Sequence, residues 1–178
     1  DRTICPNEVH PLVVTSNPGE YNSYTWTPID HLFLDQACNV VYSTGENATT
    51  VYFKSSTGIT TTYTCESMNT TNGCNSAAQT TVTVIPDAAI KSVPESICYS
   101  GSATLSLFPN TGYGASTYQW KNSLDNISFS DIPGATDATY TTPVHTSTSF
   151  YKVIVKNSIG DTCIQPNYSL AVNNPEIL

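Results

Sequence analysis

The chain has 178 residues, a formal net charge of −8 and a sequence pI of about 4.5. Its 6 Lys and Arg are scattered, so it lacks the basic footprint of a nucleic-acid binder and the polybasic or amphipathic segment that holds a membrane surface. No apolar run approaches a transmembrane span, and the length suits one large domain or two small ones.

Charged residues make up only 11%, against about 25% in an average globular protein. The polar surface is built instead from 27 Thr and 20 Ser. Strand formers are abundant and good helix formers scarce, which predicts an all-β chain. In chain order, alternating runs predict strands over 12–15, 21–27, 48–54, 60–66 and 79–85. They continue over 103–108, 117–121, 128–132, 139–142, 149–155 and 168–172. Turn signals separate them: Asn17-Pro18-Gly19, Thr44-Gly45-Glu46-Asn47, Thr57-Gly58, Asn72-Gly73, Pro109-Asn110-Thr111-Gly112 and Pro133-Gly134. Short strands with turns every 8–12 residues or so argue for β-sandwiches.

Laid on itself, the chain repeats. Thr3-Ile4-Cys5 matches Ser96-Ile97-Cys98. Trp26 and Trp120 follow at like spacing, each with a Tyr two residues earlier, Tyr24 and Tyr118. Tyr63 matches Tyr151, and Cys74 matches Cys163 beside Gly-containing turns. The expected organisation is therefore two immunoglobulin-like β-sandwich domains arranged end to end, residues 1–86 and 87–174. Residues 175–178 would begin a connector to a further repeat. The chain opens on Asp1-Arg2-Thr3 with no signal peptide, and the reading is an excerpt from a longer array. Trp26, Trp120, Tyr63 and Tyr151 are expected in the cores.

Six cysteines without CxxC spacing suggest structural disulfides in an oxidising compartment, with buried free thiols as the alternative. The matched positions favour Cys5–Cys74 and Cys98–Cys163, leaving Cys38–Cys65 inside the first domain. Four cysteines allow three pairings, so this preference rests on the repeat.

The segments Tyr118-Gln119-Trp120-Lys121-Asn122-Ser123, Phe129 to Thr136 and Ala138 to Pro143 resemble Ig-like repeats of very large secreted and surface proteins of the Bacteroidetes. Tyr24 to Pro28, Leu34 to Cys38 and Ala48 to Tyr52 are similar to a sister type of the same repeats. The resemblance implies export, often by type IX secretion, and non-enzymatic roles as stalks of adhesins and gliding filaments or as spacers in polysaccharide-degrading enzymes. Where the family commonly has Gly after Asp in its turn, this chain has Asn126, a residue that also tolerates the left-handed conformation.

No catalytic constellation is legible. His10, His31 and His145 have no HExxH or triad context, and GxSxG, phosphate-loop and Rossmann patterns are missing. Asp30 with Asp35, or Asp131 with Asp137, are loop carboxylates without an EF-hand pattern, best read as solvated charges. No metal or cofactor is expected. Tyr21, Tyr42, Tyr99 and Tyr113 sit in or beside turns and are the candidates for a sugar-binding platform. The expected function is a non-catalytic structural or adhesive segment of an extracellular repeat protein. The alternative is a carbohydrate-binding or spacer module of a secreted polysaccharide-degrading enzyme. Expected partners are neighbouring repeats of the same polypeptide, with a polysaccharide or surface ligand as a further candidate.

Overall fold

The computed structural model describes residues 1–16 and 19–173. The turn signal at 17–18 and the connector at 175–178 lie outside the described residues. The chain divides into two compact units, Asp1–Ile85 and Pro86–Leu178.

The first unit holds β1 (Arg2–Ile4), β2 (His10–Val13), β3 (Ser23–Thr27), β4 (Leu32–Phe33), β5 (Thr50–Phe53), β6 (Thr60–Met68) and β7 (Asn75–Val84). One sheet runs β1-β7-β6-β3 and the other β2-β5-β4. The chain alternates between sheets: β2 in one, β3 in the other, β4 and β5 back, then β6 and β7. That crossing pattern is the Greek key of an immunoglobulin-like sandwich. Alternation places Tyr24, Trp26, Val51, Phe53, Tyr63, Cys65, Val82 and Val84 in the core between the sheets. Trp26 Nε1 donates to the Ala48 carbonyl at 2.9 Å, so the buried indole leaves no orphan donor.

The second unit holds β8 (Ala89–Val93), β9 (Ser96–Cys98), β10 (Thr104–Phe108), β11 (Thr117–Ser123), β12 (Ser130–Asp131), β13 (Thr139–Thr141), β14 (Ser149–Lys156), β15 (Thr162–Ile164) and β16 (Asn167–Asn173). Its sheets run β13-β10-β8 and β12-β11-β14-β16-β9, with β15 on β14. Trp120 is fully buried, and its Nε1 donates to the Asp137 carbonyl at 2.9 Å. Both units are therefore immunoglobulin-like β-sandwiches, and the described residues contain no helix.

The Thr-rich composition has a structural counterpart. Thr60 and Thr62 lie directly opposite Thr83 and Thr81 across β6 and β7. Their hydroxyls meet at 3.2 and 2.9 Å. Thr104 and Thr141 form the same kind of pair at 3.3 Å. Hydroxyl pairs take the place that charges occupy on other sheets. Lys121 Nζ forms an ion pair with Asp131 Oδ1 at 2.8 Å.

The expected disulfide pairing requires correction. Cys38, Cys65, Cys74 and Cys98 are free thiols, whereas Cys5 and Cys163 are disulfide-bonded. Register explains why Cys5–Cys74 and Cys98–Cys163 do not form. Ile4 lies beside Val84, at the end of β7, while Cys74 precedes its first residue. Ten residues of extended strand separate them, about 30 Å, against a Cα separation of about 4.4–6.8 Å in a disulfide. In the second unit Cys98 lies beside Asn173, three residues past the Leu170–Ser149 pair. Cys163 lies at the other end of β14, beside Val155 and Lys156. The separation along the sheet is again about 30 Å. Cys38–Cys65 fails because Cys65 faces the core from β6, while Cys38 caps an exposed turn with its Sγ 3.8 Å from the Gln36 carbonyl.

Candidate functional site

A cleft with a volume of about 480 Å³ lies in the first unit. It opens between the outer edge of β2 and the first half of β7, and reaches His10, Leu12, Tyr21, Trp26, Cys65 and Ala78. Its chemistry is poor. Burial pushes the Cys65 thiol up to about 11, so it is protonated and weakly nucleophilic at neutral pH. Burial, with the nearby Arg2 guanidinium, lowers the basicity of His10. Among the described residues no carboxylate lines the cleft to pair with either as an acid or base.

The other histidines serve the fold. His31 adopts φ 63 and tilts against the Phe53 ring at 6.1 Å. His145 Nε2 hydrogen-bonds the Tyr151 hydroxyl, and Nδ1 meets the Ser149 hydroxyl at 3.1 Å. A Ser–His contact suggests a nucleophile and its base, yet both Ser149 and Tyr151 are buried, so no substrate reaches the serine. Burial holds the His145 imidazole below its ordinary pKa and pushes Tyr151 up to about 12.

The four tyrosines do not form a platform. Tyr42 is buried in the first core, its hydroxyl accepting from Trp26 N at 2.9 Å and donating to the Glu46 carbonyl at 2.8 Å. Tyr113 is buried too, donating to the Pro109 carbonyl at 2.8 Å and standing edge-on to Tyr118. Both are corrections to the expectation of a ligand face: a turn tyrosine in a small sandwich folds inward when its hydroxyl finds a carbonyl. Tyr21 is half-buried at the mouth of the cleft. Tyr99 is 71% exposed at φ 66, beside Cys98. Within the second unit, Tyr99 and Tyr113 stand at opposite ends. Tyr99 N donates to the Asn173 carbonyl at the end of β16, while the Tyr113 hydroxyl reaches Pro109, just past the Phe108–Ala89 pair.

Two of the four loop aspartates have partnered carboxylates, and the other two contribute main-chain carbonyls. Asp35 Oδ1 accepts from Asn39 N and Val40 N at 2.9 and 2.7 Å, and Asp131 pairs with Lys121. Asp30 and Asp137 offer their carbonyls to Tyr63 and Trp120. The clearest turn motif is the one the family resemblance marks at Asn126. Asp125 Oδ1 accepts from Ser128 N, Ile127 N and the Ser123 hydroxyl, which lowers its pKa to about 2. Asn126 occupies the left-handed position of this turn, with φ 59. Among the described residues, no group of three or more His, Cys, Asp or Glu side chains is placed to hold a metal ion. No helix among them is long and apolar enough to cross a membrane.

A family model described as "Domain of unknown function (DUF8696)" matches residues 87–173. No curated protein matches the chain. Among solved structures, the N-terminal four Ig domains of Dscam1 isoform 4.4 align at 13% identity and a TM-score of 0.47, over 97% of this chain and 42% of that one. A titin fragment aligns at 13% identity and a TM-score of 0.41, over 98% of this chain and 94% of that one. The fibronectin(III)-like modules of CbhA from Clostridium thermocellum align at 9% identity and a TM-score of 0.38, over 97% and 89%. The chain spans less than half the length of the Dscam1 structure.

Proposed function

We propose that this chain is a non-catalytic, load-bearing segment of an extracellular repeat protein, a surface adhesin or filament stalk of the Bacteroidetes type. The observation that carries the reading is a parallel pairing, in each copy, of a short strand near the start with the last strand. β1 runs parallel to the end of β7 and β9 runs parallel to the end of β16. Tension between the ends of a copy draws two parallel strands past one another. Their hydrogen bonds are then loaded together in shear, rather than broken one at a time. Recurrence in both copies supports a shared mechanical role. The disulfide-bonded state of Cys5 and Cys163 supports an oxidising, extracytoplasmic setting. In this reading the partners are neighbouring repeats of the same polypeptide.

The second reading, a carbohydrate-binding or spacer module of a secreted polysaccharide-degrading enzyme, draws on the exposed Tyr99 ring. A polysaccharide array separates the two. The stalk reading expects no specific binding by the purified chain. Specific binding lost in a folded Tyr99→Ala variant would replace it with the module reading. Tyr42 and Tyr113 are unsuitable for this test because both are core residues.

A further inference from the structure

The two copies differ at one seam. In the second domain β8 lies antiparallel on the edge of β10, with Ile90 opposite Leu107 and Ser92 opposite Leu105. It also packs against β16, covering the gap between the two sheets. Ile90 and Ser92 point inward and are buried, while Ala89, Lys91 and Val93 face out. In the first domain the counterpart of β10 is β2, and its outer edge has no strand on it among the described residues. The first half of β7 is bare on its outer side as well, because β1 meets β7 only at Val82 to Val84. The gap between these two edges is the cleft of about 480 Å³, and Leu12, Trp26 and Cys65, buried core residues, form its floor.

We propose that this seam is a strand-acceptor site for one extended segment of β8's chemistry, alternating small apolar and polar residues, entering directly ahead of β1. Three observations select that occupant. β1 is the counterpart of β9, and only Pro94 and Glu95 separate β8 from β9, so a strand here enters from immediately before Arg2. The free edge has groups to bond. Val14 N donates to the Thr49 carbonyl, and bonded pairs alternate along an antiparallel ladder. Leu12 and His10 therefore bond β5, and Pro11 and Val13 turn their backbone groups outward. Pro11 offers a carbonyl alone, and Val13 both groups. The floor of the cleft is apolar at Leu12 and Trp26, which suits one inward Ile with a small polar neighbour, as in β8. The proposal rests on the fold of each copy and not on the load-bearing reading.

The test joins a copy of residues 89–93 ahead of Asp1 of the full chain, so that Asp1 and Arg2 take the places of Pro94 and Glu95. A control carries the same extension copied from the Ile90→Asp sequence. Amide exchange across β2, and denaturant unfolding followed by Trp26 fluorescence in a Trp120→Phe background, are compared in the two chains. The β8 copy is expected to slow exchange of the Val13 amide about tenfold or more, and to raise the first domain's unfolding midpoint above that of the control. Equal exchange and equal midpoints in the two extended chains would overturn the proposal. So would protection confined to strands other than β2 and β7.

Discussion

Trp26 and Cys65 lie directly opposite each other on neighbouring strands β3 and β6, and Trp120 and Val153 occupy the same pair in the second domain. The valine shows what the position requires: a small apolar side chain beside the indole. Cys65 is thus a packing residue, and a free Cys behaves as a small hydrophobe when buried. Cys65→Val is expected to change the first domain's stability by less than about 1.5 kcal/mol. In a thiol titration of the native protein, the exposed Cys74 and Cys98 should react and Cys65 should stay silent until denaturant is added. Rapid native labelling of Cys65 would contradict this assignment.

Tyr63 is fully buried and its hydroxyl donates to the Asp30 carbonyl at 2.7 Å. Tyr63→Phe leaves that carbonyl short of a donor and should cost about 1–2 kcal/mol. Each domain holds one of the chain's 2 Trp residues, so a variant that keeps a single Trp reports one domain. In a Trp120→Phe background the transition seen by Trp26 should shift. In a Trp26→Phe background the Trp120 transition should not.

Burial beside Ser149, Tyr151 and the Gly101 bridge disfavours the charged form of His145. Its folded pKa is lowered, so the unfolded chain takes up a proton more readily. Stability from this site is present above the ordinary imidazole pKa of about 6.5 and declines as pH falls through it. Resistance of the second domain to denaturant should therefore fall as pH is lowered from about 7 to about 5. His145→Gln should be less stable at neutral pH and show a flatter pH dependence.

Asp125 makes the opposite kind of titration with the same sign of slope. Three donors lower its carboxyl to about 2. The stabilisation is present above the ordinary carboxylate pKa of about 3.9 and is lost as pH falls through the folded value. Asp125→Asn should be measurably less stable than the parent at about pH 5, and the difference should narrow towards about pH 2.

The fold was readable because its signals are local and periodic. Alternation marked the long strands, and the spacing of Trp26 and Trp120 from their cysteines exposed the repeat. The short strands β1, β4, β8, β9 and β15 carry two to five residues each, too few for a period-2 pattern to show. β8 reads as a connector because Ala89 and Lys91 are weak strand formers, and its pairing with β10 is a long-range effect. β7 begins at Asn75 rather than Gln79 for a related reason: Ala77 and Ala78 are drawn into the ladder by their pairing with Glu66 and Cys65. The cysteine pairing was misread because matching positions between copies says nothing about which end of a sandwich each occupies. That information sits in the parallel register of β1 with β7. Tyr42 and Tyr113 were placed at the surface because turn residues usually are, whereas their inward course depends on carbonyls at Glu46 and Pro109.

The load-bearing account is tested most directly by pulling single molecules of the chain from its two ends, with reductant present. Shear-loaded terminal strands predict two discrete unfolding events, each releasing a contour length of about 290 Å, from some 85 residues at about 3.4 Å each. Those events should require higher force than peeling of a hairpin in the same molecule. Smooth extension without discrete events, or unfolding at the force of a peeled hairpin, would contradict it.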